Sequence, residues 1–414
     1  MKTLICAHDR PNYINGPNMW LQRVLPGLRE QGIDSKLLFF PAGDPAKCNT
    51  IQALKNDGFE CVSYTGKKYT EYRIKWILEH ITTDPPDVFI PNLDIPAYHA
   101  SRLVKHAGIP TVGILHSDDP FYHAIIEEFI DNQPDQVLTA VVCVSQYLEE
   151  HCLKKTARQK IRIEKIPYGV PVPEDKAGYS DDKLKLLYAG RLEEKQKRIS
   201  DVTRSLCRLV KEVPGTEAVL YGSGTSEEKI RSIIRQNDAE RKVKLGGLVD
   251  SRELQSKLLE SQVFILLSDY EGLPIALMEA MACGLVPVCY DMESGIPELV
   301  EHNKTGLIVK DRADDFIKAV KQLKQDKKKW NSLSEAVRAK IENGYSTSYS
   351  VSRWASLLKE LKNGRVENPA IDIPDFIELP DKHVDISSYQ DPRWQGAIGY
   401  YKGRLKNIYR KIVS

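Results

Sequence analysis

The chain has 414 residues, 42% of them hydrophobic, enough to build more than one core of ordinary domain size. Its 59 basic residues stand against 57 acidic ones, and that near-neutral balance argues against general nucleic-acid binding. The eight cysteines lack Cys-x-x-Cys spacing and lie mostly in apolar runs, which predicts reduced core thiols and a cytosolic compartment. The opening run Lys2 to Ala7 is too short for a signal-peptide apolar region, and no run approaches the ~18 apolar residues of a membrane span.

Apolar, strand-like runs alternate with amphipathic stretches along most of the chain. The first strand is Thr3 to Ala7, followed by the loop His8 to Asn18 and a helical stretch beginning near Met19. Gly16 stands at the approach to that helix, where a backbone N–H can meet an anion, whereas Pro17 removes one donor. Further strands are predicted at Ser35 to Phe40, Val88 to Pro91, Thr111 to Leu115 and Ala140 to Val144. His116, Asp118 and Asp119 follow the fourth strand of this half, at the carboxyl end where open α/β sheets bind ligands. Asp118-Asp119-Pro120 reads equally as a turn.

Pro167 to Pro173 breaks the alternation and places the boundary between a domain of residues 1–170 and one of residues 171–344. The second half continues with strands at Leu184 to Ala189, Glu217 to Tyr221, Val243 to Leu245, Val263 to Leu267 and Val286 to Tyr290. Thr225-Ser-Glu-Glu228 and Asp250-Ser-Arg-Glu253 have capping-box spacing. Strands spaced this way predict an α/β protein of two doubly wound parallel sheets whose carboxyl ends face one cleft. Gly190-Arg191-Leu192-Glu-Glu-Lys-Gln-Lys197-Arg198 puts basic residues at a strand's carboxyl edge. Tyr221-Gly222-Ser-Gly224 also follows a strand, but position 227 is Glu, so the dinucleotide fingerprint is incomplete. Its glycines predict a tight turn or a close backbone approach to phosphate.

The most informative run is Ser268-Asp-Tyr-Glu271-Gly272-Leu273-Pro274-Ile-Ala-Leu-Met-Glu279-Ala-Met-Ala-Cys-Gly284, directly after the strand Val263 to Leu267. The turn exposes the N–H groups of Gly272 and Leu273 at a helix N-terminus, where a phosphate is favoured. Glu279 lies about 7.5 Å further along the helix. Two acids flanking an anion site suit hydroxyls, one set on a sugar and the other on a ribose.

These residues match the Glu-x7-Glu signature of retaining glycosyltransferases with the GT-B fold, and the chain resembles glycosyltransferase family 4, the glycosyl transferases of group 1. The resemblance implies transfer of a hexose-like group from a nucleotide diphosphate sugar, UDP-sugar favoured and GDP-sugar allowed, to a hydroxyl acceptor with retention. It assigns Arg191 and Lys197 to the diphosphate, Leu248 with its preceding glycines to the nucleobase, and His116 to the transferred sugar. Glu271 then orients sugar hydroxyls and Glu279 meets the ribose. Gly222 and Gly16 also fall in the donor site, and Asn18, Asp118 and Asp119 on the acceptor side. The family commonly has adjacent glycines where this chain has Gly16-Pro17. Neither a cofactor nor a metal is expected, since no Asp-x-Asp triplet occurs. Pro167-Tyr-Gly-Val170 resembles the family's interdomain join, and residues 345–362 its helix that crosses back to the N-terminal domain.

Residues 363–414 lie outside the resemblance. After Asp391 the segment carries Arg393, Lys402, Arg404, Lys406, Arg410 and Lys411 without an acid, with Ile398, Tyr401, Leu405, Ile408 and Ile412 at helical spacing. Residues 392–414 read either as an interfacial helix at the cytoplasmic face of a membrane or as one packed on protein, and the sequence leaves the oligomeric state open. A sugar-nucleotide epimerase and a non-catalytic nucleotide-sugar-binding protein are the rival readings.

Overall fold

The computed structural model describes residues 1–11, 15–131, 138–156, 161–292, 295–364, 371–379 and 384–386. The basic tail, residues 392–414, lies outside the described residues. Among the described residues no helix is long and apolar enough to cross a membrane.

The first half runs β1 (Lys2–Asp9), α1 (Gly16–Glu30), β2 (Asp34–Pro41), α2 (Asn49–Asn56), β3 (Glu60–Ser63), α3 (Thr70–Thr83), β4 (Val88–Ile90), α4 (Ile95–His106), β5 (Val112–Leu115), α5 (Pro120–Ile126), β6 (Ala140–Cys143), α6 (Gln146–Lys155) and β7 (Arg162–Lys165). All its strand pairs are parallel, in the order β3-β2-β1-β4 and β5-β6-β7, and a parallel bridge between Phe89 and Thr111 joins the two parts. Helix α1 starts at Gly16, three residues before the predicted Met19, because Asn15 caps it through Asn18 N–H and Pro17 sits where no intrahelical N–H is needed.

The second half runs β8 (Leu184–Ala189), α7 (Ile199–Glu212), β9 (Thr216–Tyr221), α8 (Glu227–Gln236), β10 (Val243–Gly247), α9 (Ser251–Leu259), β11 (Val263–Leu266), α10 (Ile275–Ala282), β12 (Val286–Tyr290), α11 (Ile296–Leu299), β13 (Leu307–Val309), α12 (Asp314–Gln325), α13 (Lys327–Gly344) and α14 (Thr347–Lys362). The strand order β10-β9-β8-β11-β12-β13, again all parallel, reverses direction between β8 and β11 and opens a crevice there. Asp250 caps α9 by accepting from Glu253 N–H at 2.8 Å, whereas α8 starts at Glu227 after Ser226 and has no side-chain cap. The Thr225 capping expectation therefore fails there.

Two strands of chain run side by side between the halves. Val170 N–H donates to Tyr345 O at 3.0 Å and Thr347 N–H to Val170 O at 2.9 Å. Helix α14 then packs on α1 of the first half: the Trp354 and Trp20 rings lie 5.0 Å apart, and Gly27 leaves the space that Val351 fills. Lys362, near the end of α14, pairs with Asp87 of the first half at 3.5 Å.

Candidate active site in the interdomain cleft

The loops after β8 and β11 meet at the reversal of strand order. Lys197 Nζ lies 2.6 Å from Glu271 Oε1, with the two side chains only 12% and 7% exposed. A buried pair of this kind must be held in good geometry to offset the loss of hydration. Gln196 supplies part of that geometry, donating to Tyr270 O at 2.9 Å and to Glu271 Oε2 at 3.4 Å. Its own carbonyl oxygen accepts from Arg191 Nη2 at 2.6 Å. Arg191 also pairs with Glu193 at 2.8 Å and faces solvent, so it joins the cluster through Gln196 rather than by touching Glu271. The chain turns here through Arg198, whose φ of 51° is left-handed.

Glu271 is buried although it sits on a turn. Gly272 explains how: a Cβ there would lie 2.9 Å from His116 O and 3.1 Å from Ser117 Cα. Only a bare backbone lets the turn press against the first half. Gly295 N–H donates to Gly272 O at 3.1 Å and fixes the turn from the other side. Leu273 is buried, and Pro274 occupies the N-cap of α10. That helix is apolar nearly all round and therefore buried. It ends in a Schellman motif, with Gly284 N–H on Met281 O at 2.9 Å, Leu285 N–H on Ala280 O at 3.0 Å, and Gly284 at φ 82°. Ala-Cys-Gly284 is thus a helix stop. Glu279, on the same helix, pairs with Arg23 of α1 across the cleft.

Gly222 is at φ 134°, and a Cβ there would lie 1.9 Å from Gly190 O. Its N–H is donated to Gly247 O at 2.8 Å. Close approach of the loops after β8, β9 and β10 accounts for this glycine, and its backbone donor is already used. Leu248, directly after β10, is an apolar side chain 60% exposed.

On the facing half, Gly16 lies close to Tyr168 Oη and to Ile275 at the start of α10, each 3.4 Å from where its Cβ would stand. Asn18 is buried, donates to Asp9 Oδ1 at 3.2 Å, and keeps its carbonyl oxygen without a partner. His116 is held on both ring nitrogens, by Tyr168 Oη and by Asn92 Oδ1, each at 2.6 Å. Burial pushes its pKa down to about 3, so the ring is neutral. Asn92 Oδ1 only accepts, hence Nε2 carries the proton and Tyr168 donates to Nδ1. Both ring nitrogens are therefore occupied within the protein. Asn92 itself has a left-handed φ of 48° and a buried side-chain NH2 without a partner.

Asp119 caps α5, accepting from Phe121 N–H at 3.1 Å and Tyr122 N–H at 3.3 Å. Asp118 pairs with His123 at 2.6 Å, and His123 stacks on His151 with centroids 4.6 Å apart and planes 8° from parallel. The ligand atoms of these three lie within 4.8 Å of one another. Parallel rings, however, keep their in-plane lone pairs in separate planes, so the arrangement is a stacked, hydrogen-bonded trio and does not converge on one ion.

The structure thus brings Gly16, Arg191, Lys197, Glu271, Gly272, Leu273 and Glu279 to the junction of the two halves with His116 against Gly272, whereas Asp118 and Asp119 are engaged locally with His123 and the start of α5. Arg23, Asn92, Tyr168 and Gln196 join the site beyond the residues expected from the sequence. Gln196 is adjacent to Lys197 and Tyr168 lies in the Pro167–Val170 join; Arg23 and Asn92 carry no local signature.

Residues 174–340 match the family model described as glycosyl transferases group 1. The chain is 34% identical over 186 residues to the amylovoran biosynthesis glycosyltransferase AmsK of Erwinia amylovora, covering 43% of this chain and 45% of that protein. It is 34% identical over 189 residues to the putative colanic acid biosynthesis glycosyltransferase WcaL of Escherichia coli, again covering 43% of this chain and 45% of the relative. The matches thus span less than half the length of these curated relatives. The solved structure of Anabaena Alr3699/HepE in complex with UDP superposes with a TM-score of 0.71 at 16% identity, covering 87% of this chain and 100% of that one. The architecture is that of the GT-B glycosyltransferases, two Rossmann-like domains on a cleft. Residues 174–340 are thus similar to the glycosyl transferases of group 1.

Proposed function

We propose that the protein is a retaining glycosyltransferase that moves a sugar from a nucleotide diphosphate sugar to an acceptor hydroxyl in polysaccharide or glycolipid synthesis. The single observation that carries this reading is the buried Lys197–Glu271 pair at the amino end of α10, facing the first half across Gly272. A cation and a helix N-terminus converge where a leaving diphosphate develops charge. Arg191 lends a second, exposed cation.

In this reading Lys197 shares its charge between Glu271 and the diphosphate, and Glu271 orients sugar hydroxyls. The departing phosphate takes the acceptor's proton, and neutral His116 shapes the sugar pocket without acting as base. Glu279 accepts from the ribose, and Leu248 lies against the base. The cationic groups make a bridging metal unnecessary. Asn18, Asp118 and Asp119 belong to the acceptor side. We take the donor to be a UDP-sugar, a choice supported by the UDP held by the HepE structure. The eight free cysteines support a reducing, cytoplasmic setting.

The test is release of nucleoside diphosphate from UDP-, GDP- and ADP-hexoses offered with oligosaccharide and glycolipid acceptors. Glu271→Gln abolishes acceptor-dependent release in a folded protein; full release by that variant contradicts the assignment. Donor incubated alone separates transfer from epimerisation, which needs no acceptor.

A further inference from the structure

Arg23 and Glu279 are 256 residues apart in sequence and come from opposite domains, yet their side chains form an ion pair only 11% and 13% exposed. The guanidinium is not fully used: Nη1 is buried and has no hydrogen-bond partner. An uncompensated buried N–H is costly, and a cationic one more so, which marks it as a donor waiting for an acceptor. Both residues line a pocket of about 230 Å³ between α1, α9 and α10. Met19, Gln22 and Arg23 bring one face of α1 to it, and Gln255 and Leu258 close it from α9.

The chemistry of the pair selects its ligand. An arginine only donates and a carboxylate only accepts, so a group bound by both at once must do both. A hydroxyl does so, donating to Glu279 and accepting from Arg23 Nη1. A ketone or amide oxygen would satisfy Arg23 and leave Glu279 unmet; an ammonium would do the reverse.

Resting on the donor-site reading above, we infer that Arg23 is a specificity-determining residue of the donor site, supplied by the N-terminal domain, which reads a ribose hydroxyl together with Glu279. Ribose recognition at full strength then requires both domains to be in place, because each supplies one half of the pair. The same pair discriminates a ribonucleotide from its deoxy form, since loss of the hydroxyl leaves Arg23 Nη1 without its acceptor and removes the hydrogen bond donated to Glu279.

The experiment measures by calorimetry the dissociation constants of UDP, 2′-deoxy-UDP and 3′-deoxy-UDP, and of the guanosine set, for the full-length protein, Arg23→Met, Arg23→Lys and Glu279→Gln. The parent protein should bind the ribonucleotide about tenfold or more tightly than one deoxy form, the worth of a hydrogen bond to a charged group. Arg23→Met should weaken the ribonucleotide and bring that ratio to within about threefold of unity. Arg23→Lys keeps a cation for Glu279 but lacks the second Nη, so its ratio should fall as well; it serves as the readout if the Met variant fails to fold. A ratio equal to the parent's in either folded Arg23 variant overturns the inference, even if affinity falls for all nucleotides, as mere bracing of the domains would cause. A collapse in Glu279→Gln alone would overturn Arg23's part and leave the donor site standing. Failure of the parent protein to bind either ribonucleotide would instead remove the donor-site reading on which the inference rests.

Discussion

Lys197 and Glu271 hold each other in a place where neither would be stable alone. Removing the cation by Lys197→Ala leaves a buried carboxylate and should cost about 3–5 kcal/mol of stability, with the Lys197→Met/Glu271→Gln double variant losing less than the sum of its singles. Chemical denaturation of the four proteins measures this coupling. His116 gives a pH signature. Its folded pKa is about 3 against an ordinary 6.5, so between those values the unfolded chain binds a proton that the folded one refuses. Stability therefore falls as pH falls through that window, and His116→Gln should show a flatter profile from pH 6.5 to 4. A profile parallel to the parent's would contradict a neutral, buried ring. The residues legible in sequence, from Arg191 and Lys197 to Glu271 and Glu279, share loops or helix turns next to strands, where spacing carries information. Arg23 gave no such signal, because its meaning lies in a partner on another domain.

Each helix and strand shows the same division between local and distant causes. The long central strands were legible because burial on both faces demands an unbroken apolar run. The strands that escaped notice, β3, β7 and β13, all lie at sheet edges and are short. Two of them, Glu60-Cys-Val-Ser63 and Arg162-Ile-Glu-Lys165, are also partly exposed and polar. The loops after β8 and β9 approach so closely that Gly222→Ala, strained at a φ of 134° and colliding with Gly190 O, should destabilise by at least about 2 kcal/mol. Thermal melting of that variant checks the claim, and an unchanged melt would show that the loops are loose. Helix α14 offers a second test: Trp354 is buried against Trp20, so Trp354→Ala should cost about 3–5 kcal/mol.

At the scale of the whole molecule, two parallel sheets present their carboxyl ends to one another, and several contacts among the described residues join them above the paired chain crossings. They include Gly272 against Ser117, Gly16 against Ile275, Gln146 N–H donating to Glu298 at 2.5 Å, and Arg23 with Glu279. The two-sheet plan followed from strand spacing alone, whereas the contacts between the halves rest on pairings far apart in the chain. Closing such a cleft excludes water and aligns donor with acceptor. Whether this cleft binds a nucleotide diphosphate sugar is measured by a thermal-shift panel of UDP-, GDP-, ADP- and CMP-sugars. A ligand present at 100 times its dissociation constant stabilises the folded state by about 2.7 kcal/mol. One nucleotide class, UDP first, should raise the melting temperature of the parent protein and lose that effect in Glu279→Gln. No response to any of the four would contradict such binding.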